Sequence, residues 1–209
     1  MSKKMLGFMV AISLALIIVS LYFIKTLDPG EKPKPVSDVI NVTSLNIKAD
    51  DSFKLTYSTG EDFTFESLKG KYSIIYFGFA NCPDICPATL SKMQEASEAI
   101  GSKDNLQFIF VSIDPERDSN ENLTRFISNF GTNIKAVSGE KDELDKLVTS
   151  LKVYYAKADG DKDSNDYYVD HSSFVYLLNP EGSLITQFSA EVTPKNMANE
   201  IEKTLQIEK

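Results

Sequence analysis

Cys82 and Cys86 are the only cysteines of the 209-residue chain, and His171 is its only histidine. The cysteines stand in Cys82-Pro83-Asp84-Ile85-Cys86-Pro87, just after the apolar run Tyr72 to Phe79 and at the start of a segment with helical periodicity. Pro83 suits the first turn of a helix, where its missing N–H costs nothing. Cys82 is then expected near the N-cap and Cys86 one turn later, and residues i and i+4 share a helix face. Two sulfurs so placed can converge on one atom or on each other. A helix N-terminus also presents unpaired N–H groups and the positive end of the helix dipole. Both stabilise thiolate, the form that binds metal and attacks disulfides.

Several chemistries are open to this pair. One is a plain disulfide, although a bond closing so short a loop gains little. Another is a redox-active dithiol. Three residues between the cysteines, rather than the two usual in thioredoxins, count mildly against general oxidoreductase activity. A third is metal binding. Soft sulfur ligands favour Cu(I). Structural zinc takes four ligands, and two Cys, one His and carboxylates argue against it without excluding it. His171 would add a neutral imidazole, a good copper ligand. Two thiolates and one imidazole give a three-coordinate Cu(I) site, whereas Cu(II) takes a fourth ligand from water or a carboxylate. A lone histidine is more often structural than a ligand. His171 gains weight because it follows Asp170 at the start of a buried strand, where thioredoxin-like redox proteins commonly carry a cis-proline and this chain has none. A thiol peroxidase ranks low, because the Thr or Ser and the Arg it needs find no matching arrangement close to Cys82.

The elements that must position these residues can be read from hydrophobic periodicity. Phe53, Leu55 and Tyr57 alternate, as do Phe63 and Phe65, which predicts an opening β-hairpin. Tyr72 to Phe79 and Leu106 to Ile113 read as strands buried on both faces. Leu90, Met93, Ala96 and Ile100 mark the helix carrying the cysteines. Leu123, Phe126, Ile127 and Phe130 mark another, stopped by Gly131, and Leu144, Leu147, Val148 and Leu151 a third. Lys135 to Val137 reads as a short edge strand. Residues 154–170 read as a surface loop or irregular hairpin beside the site, with Tyr154, Tyr155, Tyr167 and Tyr168 as candidate flanking residues. Ser173 to Leu178 and Leu184 to Phe188 are strands joined by the turn Asn179-Pro180-Glu181-Gly182. Pro194 opens the last helix, with Met197, Ile201 and Leu205 inward. This order predicts an α/β, thioredoxin-like fold with an N-terminal β-hairpin over residues 45–209. Asp114 ends the second strand at the cysteine edge of the sheet and is a candidate residue behind the metal ligands. Asp118 or Ser119 is expected to cap the next helix.

The N-terminus differs from the rest. Leu6 to Ile24 is an uncharged run of 19 residues, preceded by Lys3 and Lys4 and followed by Lys25. At about 1.5 Å per residue it matches a hydrocarbon core of about 30 Å. Its length and the lack of an Ala-x-Ala site favour an uncleaved anchor over a cleaved signal peptide. The expected organisation is a cytoplasmic tail (1–5), a single transmembrane helix (6–24), a Pro-containing linker (25–44) and an exported domain on the periplasmic side of the inner membrane. The net charge of −8 and the lack of a Lys/Arg cluster argue against nucleic acid.

The segments FGFANCPDICPATL (Phe77 to Leu90), VSIDPERD (Val111 to Asp118) and DHSSFVYLLNPEG (Asp170 to Gly182) resemble the SCO/SenC family of copper-binding proteins, which serve cytochrome c oxidase assembly. The resemblance covers roughly the whole exported domain, and the anchor and tether match as well. It implies copper, as Cu(I) and/or Cu(II), bound by Cys82, Cys86 and His171. It also implies an upstream copper donor and, as partner, cytochrome c oxidase subunit II, whose Cu(A) centre receives the metal or has its thiols kept reduced. On that resemblance the chain is a metallochaperone more than an enzyme. Phe77-Gly78-Phe79 departs slightly, since relatives often carry a hydroxyl-bearing residue nearby.

Overall fold

The computed structural model describes residues 7, 13–20, 38–158 and 167–207. The chain divides into two units, Met1–Val36 and Ser37–Lys209. In the first unit residues 13–20 are helical, with Leu14, Leu16, Ile17, Ile18 and Val19 exposed. No helix among the described residues is long and apolar enough to cross a membrane. Most of the expected span 6–24, and all of the expected tail 1–5, lie outside the described residues.

The second unit starts with β1 (Val39–Asn41), followed by the hairpin β2 (Lys54–Tyr57) and β3 (Asp62–Thr64). Next come β4 (Tyr72–Gly78), α1 (Ile85–Ile100), β5 (Leu106–Ser112), α2 (Asn120–Ile127), β6 (Ile134–Ser138) and α3 (Lys141–Ser150). Two short strands follow, β7 (Tyr155–Lys157) and β8 (Val169–His171), then β9 (Val175–Leu178), β10 (Leu184–Phe188) and α4 (Pro194–Ile207). The main sheet has the order β1-β10-β9-β4-β5-β6-β2-β3, and β7 pairs with β8 in a separate two-stranded sheet.

β4 lies at the centre, parallel to β5 and antiparallel to β9, with Ile75 opposite both Ile109 and Tyr176. Every residue of β4 is buried. A strand covered on both faces needs no polar alternation, which is why its sequence reads as one apolar run. The α1 and α4 helices pack against each other, with Met93, Met197 and Ile201 fully buried. The Asn179 side chain accepts from the Glu181 and Ser183 N–H groups at 3.2 and 2.8 Å, fixing the β9–β10 turn.

Three details differ from the sequence expectation. β6 is an interior strand, because the β2–β3 hairpin adds outside it through Thr56 and Tyr57. Val39–Asn41, placed in the linker by sequence, form the sheet edge against Phe188, Gln187 and Thr186. Both are non-local pairings that local periodicity does not encode. His171 ends its own strand, β8, before β9 begins.

Ser119 is the cap of α2, its side chain accepting from the Asn122 N–H at 3.2 Å. Asp118 acts elsewhere, since its buried carboxylate accepts from the Ser112 hydroxyl at 2.6 Å and the Ala80 N–H at 3.0 Å. Burial pushes its pKa up, against these two donors. Asp118 thereby ties the end of β5 to the segment that leads to Cys82. Ser119→Ala should cost ~1 kcal/mol in urea unfolding, the usual loss of a cap. Asp118→Ala should cost more, since it orphans the buried Ser112 hydroxyl, at ~1–3 kcal/mol, together with the partly buried Ala80 N–H.

Candidate metal centre

β4 delivers the chain to Gly78, and a turn closed by the Cys82 N–H on the Phe79 carbonyl (3.2 Å) leads to α1. The helix starts at Ile85, after Asp84, whose φ of −140° is not helical. Pro83 therefore precedes the helix, and Pro87 is the proline in its first turn. There the missing N–H is one that no helix satisfies internally. The Asp84 side chain makes no cap hydrogen bond. Instead the Cys86 N–H donates to the Cys82 Sγ at 3.5 Å. A sulfur thus takes the place of the capping oxygen, at the positive end of the helix dipole.

The Cys82 Sγ, the Cys86 Sγ and a His171 ring nitrogen all lie within 4.8 Å of one another. The Cys86 Sγ is 3.6 Å from the His171 Nε2. The His171 Nδ1 is 3.0 Å from the Ser172 carbonyl oxygen. That oxygen can only accept, so Nδ1 donates to it and Nε2 is the ring nitrogen that faces the sulfurs. A metal-ligating imidazole is commonly oriented in this way. The rings of Tyr76 and Phe79 meet His171 edge-on, at 6.2 and 6.0 Å between centroids. The Tyr76 hydroxyl donates to the Cys86 Sγ at 3.6 Å.

Both cysteines are free thiols. Their environments differ. Cys86 is 0% exposed and Cys82 is 9% exposed. Cys82 and His171 line an open cleft of about 420 Å³ with Phe79, Pro83 and Tyr168. A polar groove of about 500 Å³ beside Pro115, Asn120 and Gly139 has neither sulfur nor imidazole in its lining.

The two thiols share protons unequally. A hydrogen bond from the Cys86 thiol, aided by His171 and by the Asp84 and Cys86 backbone, lowers the Cys82 pKa to about 4 against the opposing effect of burial. Cys86 is pushed up, because it donates to Cys82 and is deeply buried. Burial also pushes Tyr76 up, so its hydroxyl stays a donor. At neutral pH the pair holds one negative charge, on Cys82, and one proton, on Cys86. A soft cation entering here meets a thiolate at once, and binding of both sulfurs releases the Cys86 proton.

Cys82, Cys86 and His171 are thus brought together as the sequence indicated. Asp114 is not part of this cluster: its buried carboxylate pairs with Arg117 and accepts the Tyr167 hydroxyl, each at 2.5 Å. Tyr154 and Tyr168 are exposed. Three contributors escaped sequence reasoning: Tyr76, the Ser172 carbonyl and Gly78. A Cβ on Gly78 would meet the Cys86 Sγ at 2.7 Å and the Phe110 ring at 2.9 Å. A glycine inside a buried strand is a signal of such close approach.

Alkylation of the reduced apoprotein should modify Cys82 at a rate nearly flat between about pH 6 and pH 8, whereas an ordinary thiol with a pKa of about 8.5 speeds up steeply there. The sign follows from the lowered pKa, since Cys82 is already thiolate across that window. Cys86→Ala removes the donor and should restore a rising profile; mass spectrometry identifies the alkylated residue. Gly78→Ala should destabilise the fold by ~1–3 kcal/mol, the usual cost of overpacking, and loosen the thiol pair, which the same profile would report.

Comparison with known proteins agrees with this architecture. A family model described as SCO1/SenC matches residues 42–206. The SCO2-like protein of Rickettsia felis is 34% identical over 198 residues, covering 94% of this chain and 96% of its own. The structure of Bradyrhizobium japonicum ScoI with copper bound is 35% identical, covers 72% of this chain and 96% of its own, and superposes with a TM-score of 0.66. Yeast Sco1 with copper bound is 37% identical, with 74% and 86% covered and a TM-score of 0.68. Matched over most of its length in sequence and in fold, this chain belongs to the SCO1/SenC family.

Proposed function

We propose that the protein is a membrane-anchored copper chaperone that binds copper through Cys82, Cys86 and His171 and delivers it to the Cu(A) site of cytochrome c oxidase subunit II. The observation that carries this reading is the convergence of two sulfurs and a His171 ring nitrogen within 4.8 Å of one another. Thiolate sulfur is the donor type Cu(I) prefers, and three donors complete a trigonal Cu(I) site. The relatives described as copper-bound support the choice of metal. Sco proteins serve cytochrome c oxidase assembly, which supports the choice of recipient. Cu(II) would take a fourth ligand from the cleft.

The difference between the sulfurs fits transfer. Cys86 is the buried ligand, held by Tyr76, and Cys82 is the ligand a partner's thiolate can reach from the cleft. An upstream donor would load the site by the same exchange run backwards. The uncharged run 6–24 behind Lys3 and Lys4 supports a single span of the inner membrane, with a cytoplasmic tail, a linker and the copper domain outside the cytoplasm.

The low pKa of Cys82 favours a second reading, a thiol–disulfide oxidoreductase that keeps the Cu(A) cysteines reduced. The two readings part at His171. Anaerobic Cu(I) titration of the full chain against a competing chelator should show one tight equivalent. His171→Ala should weaken it by about tenfold or more, that is by at least ~1.4 kcal/mol. One-to-one binding unchanged by this substitution would refute the three-ligand site. Disulfide reduction that survives it, without such a loss of copper affinity, would favour the oxidoreductase.

A further inference from the structure

His171 sits on a ribbon outside the main sheet. Among the described residues β7 and β8 pair only with each other, with Tyr155 opposite His171 and Lys157 opposite Val169. The ribbon has no ladder to the main sheet, so its placement relies on the short link from His171 to β9, on Val169 packed in the core and on side chains that reach it from elsewhere. At the Tyr155 end, the Tyr155 hydroxyl meets Asp145 and Lys141 of α3. At the other end the loop after β5 supplies the contacts, through charged and polar side chains.

Those contacts converge on Arg117. Its Nε donates to Asp114 at 2.5 Å, in an ion pair whose side chains are 11% and 1% exposed. Its Nη1 donates to the Tyr167 carbonyl at 2.8 Å, two residues before β8. Its guanidinium lies 3.6 Å from the Tyr167 ring centroid and 5.7 Å from that of Phe79. The Tyr167 hydroxyl closes the circuit on the second oxygen of Asp114, at 2.5 Å. Phe79 in turn meets the His171 ring edge-on at 6.0 Å. One planar cation therefore grips the backbone leading into the His171 strand and the ring against which His171 rests. A neighbouring pair, Lys157 with Glu116, is exposed on both sides and holds the ribbon weakly by comparison.

We infer that Arg117, oriented by Asp114, is a positioning residue that holds the β7–β8 ribbon so that the His171 Nε2 reaches the two sulfurs. The inference rests on the proposed role of His171 as third ligand, and it gives the Asp114 carboxylate a function through Arg117 rather than through the metal. Arg suits this position better than Lys, because a planar fork donates in two directions while its face stacks on a ring. Removing an orienting partner of a metal ligand typically lowers affinity by ~10–100-fold.

The test is a double-mutant cycle on the full chain, read as Cu(I) affinity by chelator competition. Arg117→Ala should lose nearly the factor lost by His171→Ala, and the double variant should lose no more than His171→Ala alone. Arg117→Lys should recover part of the loss. X-ray absorption of the Cu(I)-loaded Arg117→Ala chain should show two sulfurs without the nitrogen scatterer present in the parent, a change that general destabilisation does not produce. If Arg117→Ala fails to fold, Tyr167→Phe replaces it, removing only the hydroxyl on Asp114, and a partial loss that vanishes in the His171→Ala background is expected. Parent affinity and an intact nitrogen shell in the variant, or losses that multiply in the double variant, would overturn the inference. A His171→Ala chain with parent affinity would instead overturn the three-ligand site beneath it.

Discussion

A sulfur without exposed surface lies against a glycine of the central strand, and the site is organised around that contact. Cys86 can sit there because Gly78 offers no Cβ and because the first turn of α1 follows β4 after only a short turn. The buried position has an electrostatic consequence. A charged thiolate is costly to bury, so Cys86 keeps its proton and donates it to Cys82, which carries the charge nearer solvent and at the helix N-terminus. The inequality of the two sulfurs thus follows from packing, with no difference in residue type.

The third member of the cluster, His171, comes from a different sheet of the molecule. The sulfurs are fixed by the main sheet and α1, whereas the imidazole arrives on a ribbon of its own. Tyr76 and Phe79 join the two parts, since both rings lie edge-on to His171 while Tyr76 also donates to Cys86. The Ser172 carbonyl, just after β8, holds the ring by accepting from Nδ1 at 3.0 Å.

Much of this was legible in the sequence, for identifiable reasons. A chain with two cysteines and one histidine leaves few soft ligand sets, and strand-then-helix periodicity around Cys82 and Cys86 put both sulfurs at one helix end. The β4 and β5 strands were plain because burial on both faces leaves an unbroken apolar run. What stayed hidden depended on distant pairing. β1 is three residues long and is a strand only because β10 offers it an edge, and β6 lost its edge position to a hairpin formed far earlier in the chain. Tyr76 looked like one more core aromatic, because its hydroxyl contact is with a residue on another element. Asp114 was placed at the correct end of the sheet, but which way its carboxylate turned was decided by Arg117 and Tyr167, and no local pattern announces that choice.

The separateness of the ribbon bears on how such a protein can vary over evolutionary time. The register of β9 on β4 is set by Ser73 opposite Leu178 and Tyr76 opposite Val175, and no rung of that ladder involves β7 or β8. Insertions or deletions between the two short strands would therefore leave the core alignment untouched. Such changes would leave the thiol pair held by the main sheet and α1.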